Sequence, residues 1–114
     1  CGILLDVNNV FVSAHNHRFD PYEYLAALPG ERIGQIHLAG HGTRGDLLID
    51  THDHPVRDEV WDLYASAIAL HGPRSTSIEW DDDVPPLARL VEESARAGEV
   101  ERAALVPARR QRHA

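Results

Sequence analysis

Four short apolar segments of this chain each end in side chains that commonly bind metal ions, and this recurrence limits the possible folds more than any other feature. The segments are LLDVNN, QIHLAGH, LLIDTHDH and SIEWDDD. In a (β/α) barrel, the parallel strands end around one pocket, and that pocket carries the active site. The sequence therefore predicts an α/β fold in which the strand ends converge on a single site.

Apolar runs and turn residues place the predicted elements along the chain. Strands are predicted at residues 2–7, 32–38, 46–50 and 75–80. Helices are predicted at residues 21–28, 56–70 and 85–98. The segment 8–17, which contains His15 and His17, and the glycine-rich segment 40–45 are expected to form loops. Together these elements make about four βα units.

The length of the chain is too short for a closed barrel. The sequence has 114 residues, whereas a closed eight-unit barrel needs about 250. We therefore predict the C-terminal half of a TIM (β/α)8 barrel at residues 1–97, followed by a flexible tail at residues 98–114. Because the chain opens at Cys1, inside an apparent strand and without an initiator Met, we expect it to be a fragment.

Charge and composition exclude several classes of function. A net charge of -7 argues against a nucleic-acid surface, because phosphate binding needs clustered Lys and Arg. A single cysteine excludes a disulfide framework or a thiolate zinc finger within the chain. No apolar run reaches the roughly 20 residues of a membrane span, so a cytoplasmic protein is expected.

Asp50 and His52 are the first candidate ligand pair. They lie two residues apart at the end of a predicted strand, so their side chains point to the same side. A carboxylate and an imidazole placed in this way can hold one divalent ion, or the acid can orient the histidine. The alternative is a helix cap and a surface histidine within a polar turn.

Three further strand ends offer candidate ligands. His37 ends its strand and His41 follows on the glycine segment; the alternatives are a structural His37 and a solvated His41. Asn8 follows the first strand, where Asn8 and its neighbour could instead form a turn. Glu79 follows a buried strand, and an acid there costs free energy unless it is paired or coordinated.

The acids that follow Glu79 are assigned differently. Asp81, Asp82 and Asp83 are expected to be solvated and to cap the last helix. The remaining donors are imidazole, carboxylate and amide groups without thiolates, and this set fits iron, manganese or zinc.

Several unusual strings of this sequence resemble one enzyme family. The strings are LLDVNNVFVSAHNH, IHLAGH, LIDTHDHPV, VWDLY and IEWDDD, in this order over about residues 2–97. They resemble the multinuclear non-haem iron-dependent oxidative enzymes. The resemblance implies a TIM barrel that binds two or three iron ions and uses dioxygen to modify residues, commonly cysteines, of ribosomally made precursor peptides. It also implies a possible small partner protein that presents the peptide.

The same resemblance implies a set of iron ligands. Those carried over residue by residue are Asn8, His37, Asp50, His52 and Glu79, with His41 as a further ligand or as a neighbour of one. The family also uses histidines and a bridging glutamate from earlier strands, and these have no counterpart in this chain. We therefore expect the 114 residues alone to be inactive.

Two other classes of function stay open. Sugar isomerases or epimerases and zinc endonuclease-like barrels also place His, Asp and Glu at strand ends. The acidic charge disfavours the nuclease, and the strings above fit the iron enzymes better. A non-catalytic half-barrel that only associates with another chain is the third reading. Sequence upstream of Cys1 would separate these readings, because it would show whether further ligand-bearing βα units precede the chain.

Overall fold

The computed structural model describes the backbone of residues 2–113 and the side chains of residues 2–105. Its elements are β1 (Ile3–Asp6), α1 (Val7–His17), α2 (Pro21–Ala27), a 3-10 turn (Gly30–Arg32), β2 (Ile33–Leu38), β3 (Gly42–Arg44), β4 (Leu47–Ile49), α3 (Asp58–His71), β5 (Ser75–Ile78) and α4 (Leu87–His113). The expectation that rests on Cys1 lies outside the described residues.

A parallel sheet forms the centre of the molecule. It has three strands in the order β1-β2-β5, and at least one helix follows each strand along the chain. In the register, Asp6 lies beside His37, which lies beside Ser77. The predicted α/β fold with a parallel sheet is confirmed, whereas the half TIM barrel stays a prediction.

The third predicted strand was assigned to the wrong sheet. β4 does not join the parallel sheet but pairs antiparallel with β3 in a separate two-stranded hairpin. β3 lies within the glycine segment that was expected to be a loop, and Gly45 turns the chain at φ 63°. Three apolar residues do not distinguish a parallel strand from a hairpin strand. The parallel sheet therefore has three strands rather than four among the described residues.

The expected loop at residues 8–17 is also wrong, because this segment forms α1. Asp6 begins the helix as its N-cap and accepts a hydrogen bond from the Asn9 amide at 2.9 Å. Val7, Val10 and Ala14 bury one face of the helix. Valine, asparagine and histidine favour helices only weakly, so burial rather than propensity decides this segment.

The two faces of the sheet differ sharply in exposure. Leu5 and Ile36 are buried against the helices, together with Tyr64 and Ile68 of α3. The opposite face carries Leu4, which is 56% exposed, and leads to Asp6 at the end of the strand. Because alternate residues of a strand share a face, Asp6 lies on the same open face as Leu4.

The last helix does not end at Gly98 as predicted. α4 continues to His113, because Ala97 is buried and Val100, Ala104 and Leu105 pack against the core. The proposed division between residues 1–97 and a flexible tail at 98–114 stays a prediction. Among the described residues, no helix is long and apolar enough to span a membrane.

Candidate metal centre

The carboxyl ends of the three parallel strands bring polar side chains together. Asp6 ends β1, His37 lies one residue before the end of β2, and Glu79 directly follows β5. The Glu79 amide continues the sheet by donating to the Leu38 carbonyl at 2.8 Å. Asp50 and His52 reach the same place from the segment after β4. The convergence predicted from the four segments therefore holds, although one segment belongs to a hairpin.

His52 is held by its backbone in an unusual conformation. Its φ of 55° lies in the left-handed region, which is uncommon for residues other than glycine. The His52 amide donates to the Gly40 carbonyl at 3.1 Å, and its carbonyl accepts from the Asp81 amide at 2.7 Å. Such backbone strain persists where the surrounding structure imposes it, often at functional sites.

The His52 imidazole is surrounded by carboxylates. Nδ1 hydrogen-bonds with Asp81 Oδ2 at 3.0 Å and lies 3.4 Å from Glu79 Oε2. Nε2 is buried and lies 2.8 Å from Asp50 Oδ1 and 3.7 Å from Asp6 Oδ2. Although Asp50 is close, the angles make no hydrogen bond, so Nε2 has no partner among the described residues. A buried imidazole nitrogen that faces the carboxylates of Asp50 and Asp6 is a suitable ligand for a bound cation.

The charges around His52 also shift its pKa. Burial lowers the pKa of His52, but the carboxylates of Asp50, Asp6 and Asp81 together raise it above the ordinary value. Without a metal, the imidazole would therefore hold a proton more firmly than usual. A positive charge is therefore electrostatically favoured here, whether a proton on the imidazole or a metal ion carries it.

Glu79 contacts two histidines. Its Oε1 lies 2.5 Å from His37 Nδ1, while its Oε2 faces His52. One ligand atom each from Asp6, His52 and Glu79 lies within 4.8 Å of the other two. These three side chains could therefore bind one metal ion, with His37 directly beside it.

Acidic neighbours make the metal-free cluster unfavourable. Burial raises the pKa of Asp6, and the nearby carboxylates of Asp50 and Glu79 raise it further. The hydrogen bond from the Asn9 amide and the charge of His52 oppose this shift without cancelling it. A divalent cation would relieve the repulsion among these acids.

Asp50 is held by two asparagine side chains of α1. Asn8 Nδ2 donates to Asp50 Oδ1 at 2.5 Å, and Asn9 Nδ2 donates to Oδ2 at 3.2 Å. Both carboxylate oxygens of Asp50 thus accept a hydrogen bond from the helix, which fixes the plane of the carboxylate beside His52.

Asn8 and His41 form a buried pair behind Asp50. Asn8 Oδ1 accepts from His41 Nδ1 at 2.8 Å, and Asn8 Nδ2 also donates to the Gly40 carbonyl at 3.1 Å. The His41 ring stacks on Phe11, with ring centroids 5.4 Å apart. Burial, and then the charge of Arg57, lower the pKa of His41, so the imidazole is neutral.

The structure therefore divides the predicted ligands into two groups. His37, Asp50, His52 and Glu79 lie together, whereas Asn8 and His41 contact the cluster through Asp50. The role of each residue as a ligand stays a prediction. For Asn8 to bind a metal beside Asp50, its amide would have to turn so that the oxygen faces the cluster.

Two acids of the cluster were missed from the sequence. Asp6 is not among the ligands predicted from the sequence, although it ends an apolar strand much as Glu79 follows one. Asp81 was assigned to the cap of the last helix, but that helix begins only at Leu87 and Asp81 bonds to His52. A contact between residues 29 positions apart leaves no local signal in the sequence.

One family model and several curated proteins match this chain over most of its length. A family model described as RiPP precursor modification enzyme MbnB/TglH/ChrH matches residues 1–102. A UPF0276 protein of Anaeromyxobacter sp. (strain Fw109-5) is 68% identical over 105 residues, which cover 92% of this chain and 37% of that protein.

Two further relatives match this chain with similar coverage. A UPF0276 protein of Rhizorhabdus wittichii is 61% identical over 93 residues, covering 82% of this chain and 34% of its own length. One from Bordetella parapertussis is 54% identical over 101 residues, covering 84% and 35%. The chain thus spans about a third of the length of the curated relatives it matches.

Proposed function

The chain belongs to the MbnB/TglH/ChrH family of RiPP precursor modification enzymes, and on this premise we propose that it is part of an iron-dependent oxidative enzyme. The substrate that we propose is a ribosomally made precursor peptide whose cysteine residues are modified with dioxygen. Because this chain matches only about a third of the length of its relatives, we further propose that additional βα units complete the barrel. The longer protein is called the complete protein below.

One observation carries this proposal: imidazole and carboxylate groups converge at the ends of three parallel strands, around an unpartnered His52 Nε2. Asp6, His52 and Glu79 would hold one ion, with Asp50 and His37 against it. Among the described residues, the donors in this cluster are imidazole and carboxylate groups. Nitrogen and oxygen donors without thiolates fit non-haem iron.

When bound, iron supplies the reduction of dioxygen coupled to oxidation of a cysteine thiolate. The residues of this chain set the conditions for that chemistry. Glu79 fixes the ring of His37, and Asp81 accepts the Nδ1 proton of His52, so that Nε2 keeps its lone pair free. Asn8 and Asn9 hold Asp50 in a single orientation. These contacts would hold the ligand side chains in one geometry around a bound ion.

Further features of the complete protein are part of the same proposal. We propose two or three iron ions, with the additional ligands supplied from outside this chain and from Asn8 and His41. A small partner protein would present the peptide, and the reaction would take place in the cytoplasm, where precursor peptides are made. The 114 residues alone should be inactive, because they span only about a third of the relatives.

Co-expression of the complete protein with a cysteine-containing precursor peptide tests this function. We expect a change in peptide mass that requires both iron and dioxygen and that is lost in Asp50→Ala. Asp82→Asn is the matched control, because Asp82 is exposed and its carboxylate accepts a hydrogen bond from the neighbouring Asp83 amide. An unmodified peptide, together with metal-dependent turnover of a sugar or of abasic DNA, would favour the isomerase or endonuclease class instead. Modification that persists in Asp50→Ala would place the centre elsewhere.

A further inference from the structure

Helix α1 contacts strand β4 through the side chain of Asn16. Asn16 Nδ2 donates to the Leu48 carbonyl at 2.8 Å, and the Leu48 amide donates to Asn16 Oδ1 at 2.9 Å. One donor and one acceptor directed at the same residue are what a neighbouring strand supplies. Next to Asn16, His15 Nε2 lies 3.1 Å from the Asp46 carbonyl. The outer edge of β4 is therefore closed by a helix rather than by another strand.

Helix α1 also bonds to Asp50, the residue that directly follows β4. Asn8 and Asn9, at the start of α1, bond to Asp50. At the end of the same helix, His15 bonds to Asp46 and Asn16 bonds to Leu48. β4 runs from Leu47 to Ile49, so the bonded residues 46, 48 and 50 lie within it or directly beside it. An extended chain from residue 46 to 50 spans at most about 13 Å, and a helix from residue 8 to 15 rises about 11 Å. These similar lengths let Asp46 and Asp50 bond to α1 at the same time.

We propose that Asn16 is a positioning residue for the metal centre. β4 has three residues, and Asp50 follows its last residue directly, with His52 two positions further on. If β4 were released from α1 at Leu48, the middle of the strand would lose its support, and only the contacts described at Asp46 and Asp50 would hold the hairpin on the helix. The Asp50 carboxylate and the His52 imidazole would then lose their fixed separation. Asn16 touches neither group and acts through the backbone of β4.

Binding of Fe²⁺ to the metal-free complete protein tests this role. We expect anaerobic titration against a competing chelator to show about tenfold weaker affinity for Asn16→Ala, as for other residues that support metal ligands. Asn16→Asp keeps the acceptor for the Leu48 amide but lacks the donor for its carbonyl, so an intermediate loss is expected. In the metal-free protein, hydrogen exchange at the Leu48 amide should accelerate in Asn16→Ala.

Two control variants separate positioning from a general loss of stability. His17→Ala removes an exposed side chain from the same turn of α1 and should leave the affinity unchanged. Ile68→Val removes a methyl group from the fully buried core face of α3, so it lowers stability away from the centre. Wild-type affinity in Asn16→Ala, or an equal loss in Ile68→Val, would overturn the proposal. If Asn16→Ala does not fold, the Fe²⁺ affinity of Asn16→Asp is compared with those of the wild type and Ile68→Val instead.

This inference rests on the proposed metal centre but not on the proposed reaction. Fe²⁺ affinity that depends on Asn16, in a protein that leaves the precursor peptide unmodified, would contradict only the proposed function. A modified peptide together with unchanged affinity in both Asn16 variants would contradict only the role of Asn16.

Discussion

At the residue scale, Asp6 combines a structural and a chemical role. Its carboxylate caps α1 through the Asn9 amide and also lies within the group of atoms that could hold a metal. Burial and the acids around it raise its pKa, so the fold favours the neutral form. Stability from this effect is complete below the ordinary pKa of 3.8 and is lost as the pH rises through the higher folded pKa. At neutral pH the metal-free protein therefore carries the cost of the charge.

Asp6→Asn should separate the two roles. Asparagine caps helices about as well as aspartate, so we expect the metal-free stability at pH 7 to stay within about 0.5 kcal/mol of wild type or to rise. Metal affinity should fall, because the amide lacks the charge of a carboxylate ligand. Asp6→Ala, which also removes the cap, should cost about 1 kcal/mol. Denaturant melts and metal titration measure the two effects, and unchanged affinity in Asp6→Asn would show that Asp6 is only a cap.

The sequence predicted those site residues that follow recognisable strand ends. His37, Asp50, His52 and Glu79 were chosen because ligand-type side chains follow apolar runs, and the structure brings all four together. The bonds that Asn8 and Asn9 make to Asp50 cross more than 40 positions of the chain. Nothing local in the sequence encodes such a pairing, so these partners emerge only from the packing of α1 against the hairpin.

At the element scale, Gly40 lies just after β2 and contacts both α1 and the segment that carries His52. Its carbonyl accepts from Asn8 Nδ2 and from the His52 amide. A Cβ at this position would lie only 2.0 Å from the His54 carbonyl oxygen, which is a backbone atom that cannot turn aside. Glycine is therefore required where the chain after β2 passes the segment that carries His52.

Gly40→Ala should strongly destabilise this junction. Relief of the clash requires the backbone of His54 to move, and overpacking of this kind costs about 3 kcal/mol. The same movement should lower metal affinity through His52. Gly34→Ala is the control, because among the described residues no atom lies within 4 Å of its Cβ position, and it should change stability by less than about 1 kcal/mol. Equal melting temperatures for the two variants would contradict this account of Gly40.

The elements that the sequence predicted best carry strong boundary signals. α2 begins at Pro21, as predicted, with Asp20 as its N-cap, and α3 ends at His71, one residue beyond the predicted helix. α1 was missed because its polar residues resemble those of a loop. In the structure, Asn8 bonds to Asp50 and Asn16 bonds to Leu48, and the sequence gives no local sign of these contacts. β3 was missed because glycines signal turns as readily as short hairpins.

At the scale of the whole molecule, the family resemblance is confirmed, and the chain spans about a third of the length of the relatives it matches. Leu4 is 56% exposed beside the buried Leu5, and the sheet within the described residues has edges at β1 and β5. Parallel sheets are normally covered on both faces. An uncovered face and open edges are what further strands of a barrel would complete.

The isolated 114-residue chain should therefore self-associate or melt without cooperativity. Exposed apolar surface and unpaired strand edges both favour association between copies. Sedimentation velocity and thermal melts measure this behaviour, with the complete protein as the control for a covered sheet. A monodisperse monomer with a sharp cooperative transition would show that this sheet needs no further cover.

Iron is proposed to bind among Asp6, His52 and Glu79. The most direct measurement is anomalous X-ray scattering at the iron edge from crystals of the complete protein. We expect a peak between these three side chains, and we expect His52→Ala and Glu79→Ala each to remove it while Asp82→Asn retains it. A protein replete with iron whose anomalous peaks all lie away from these residues would contradict the account.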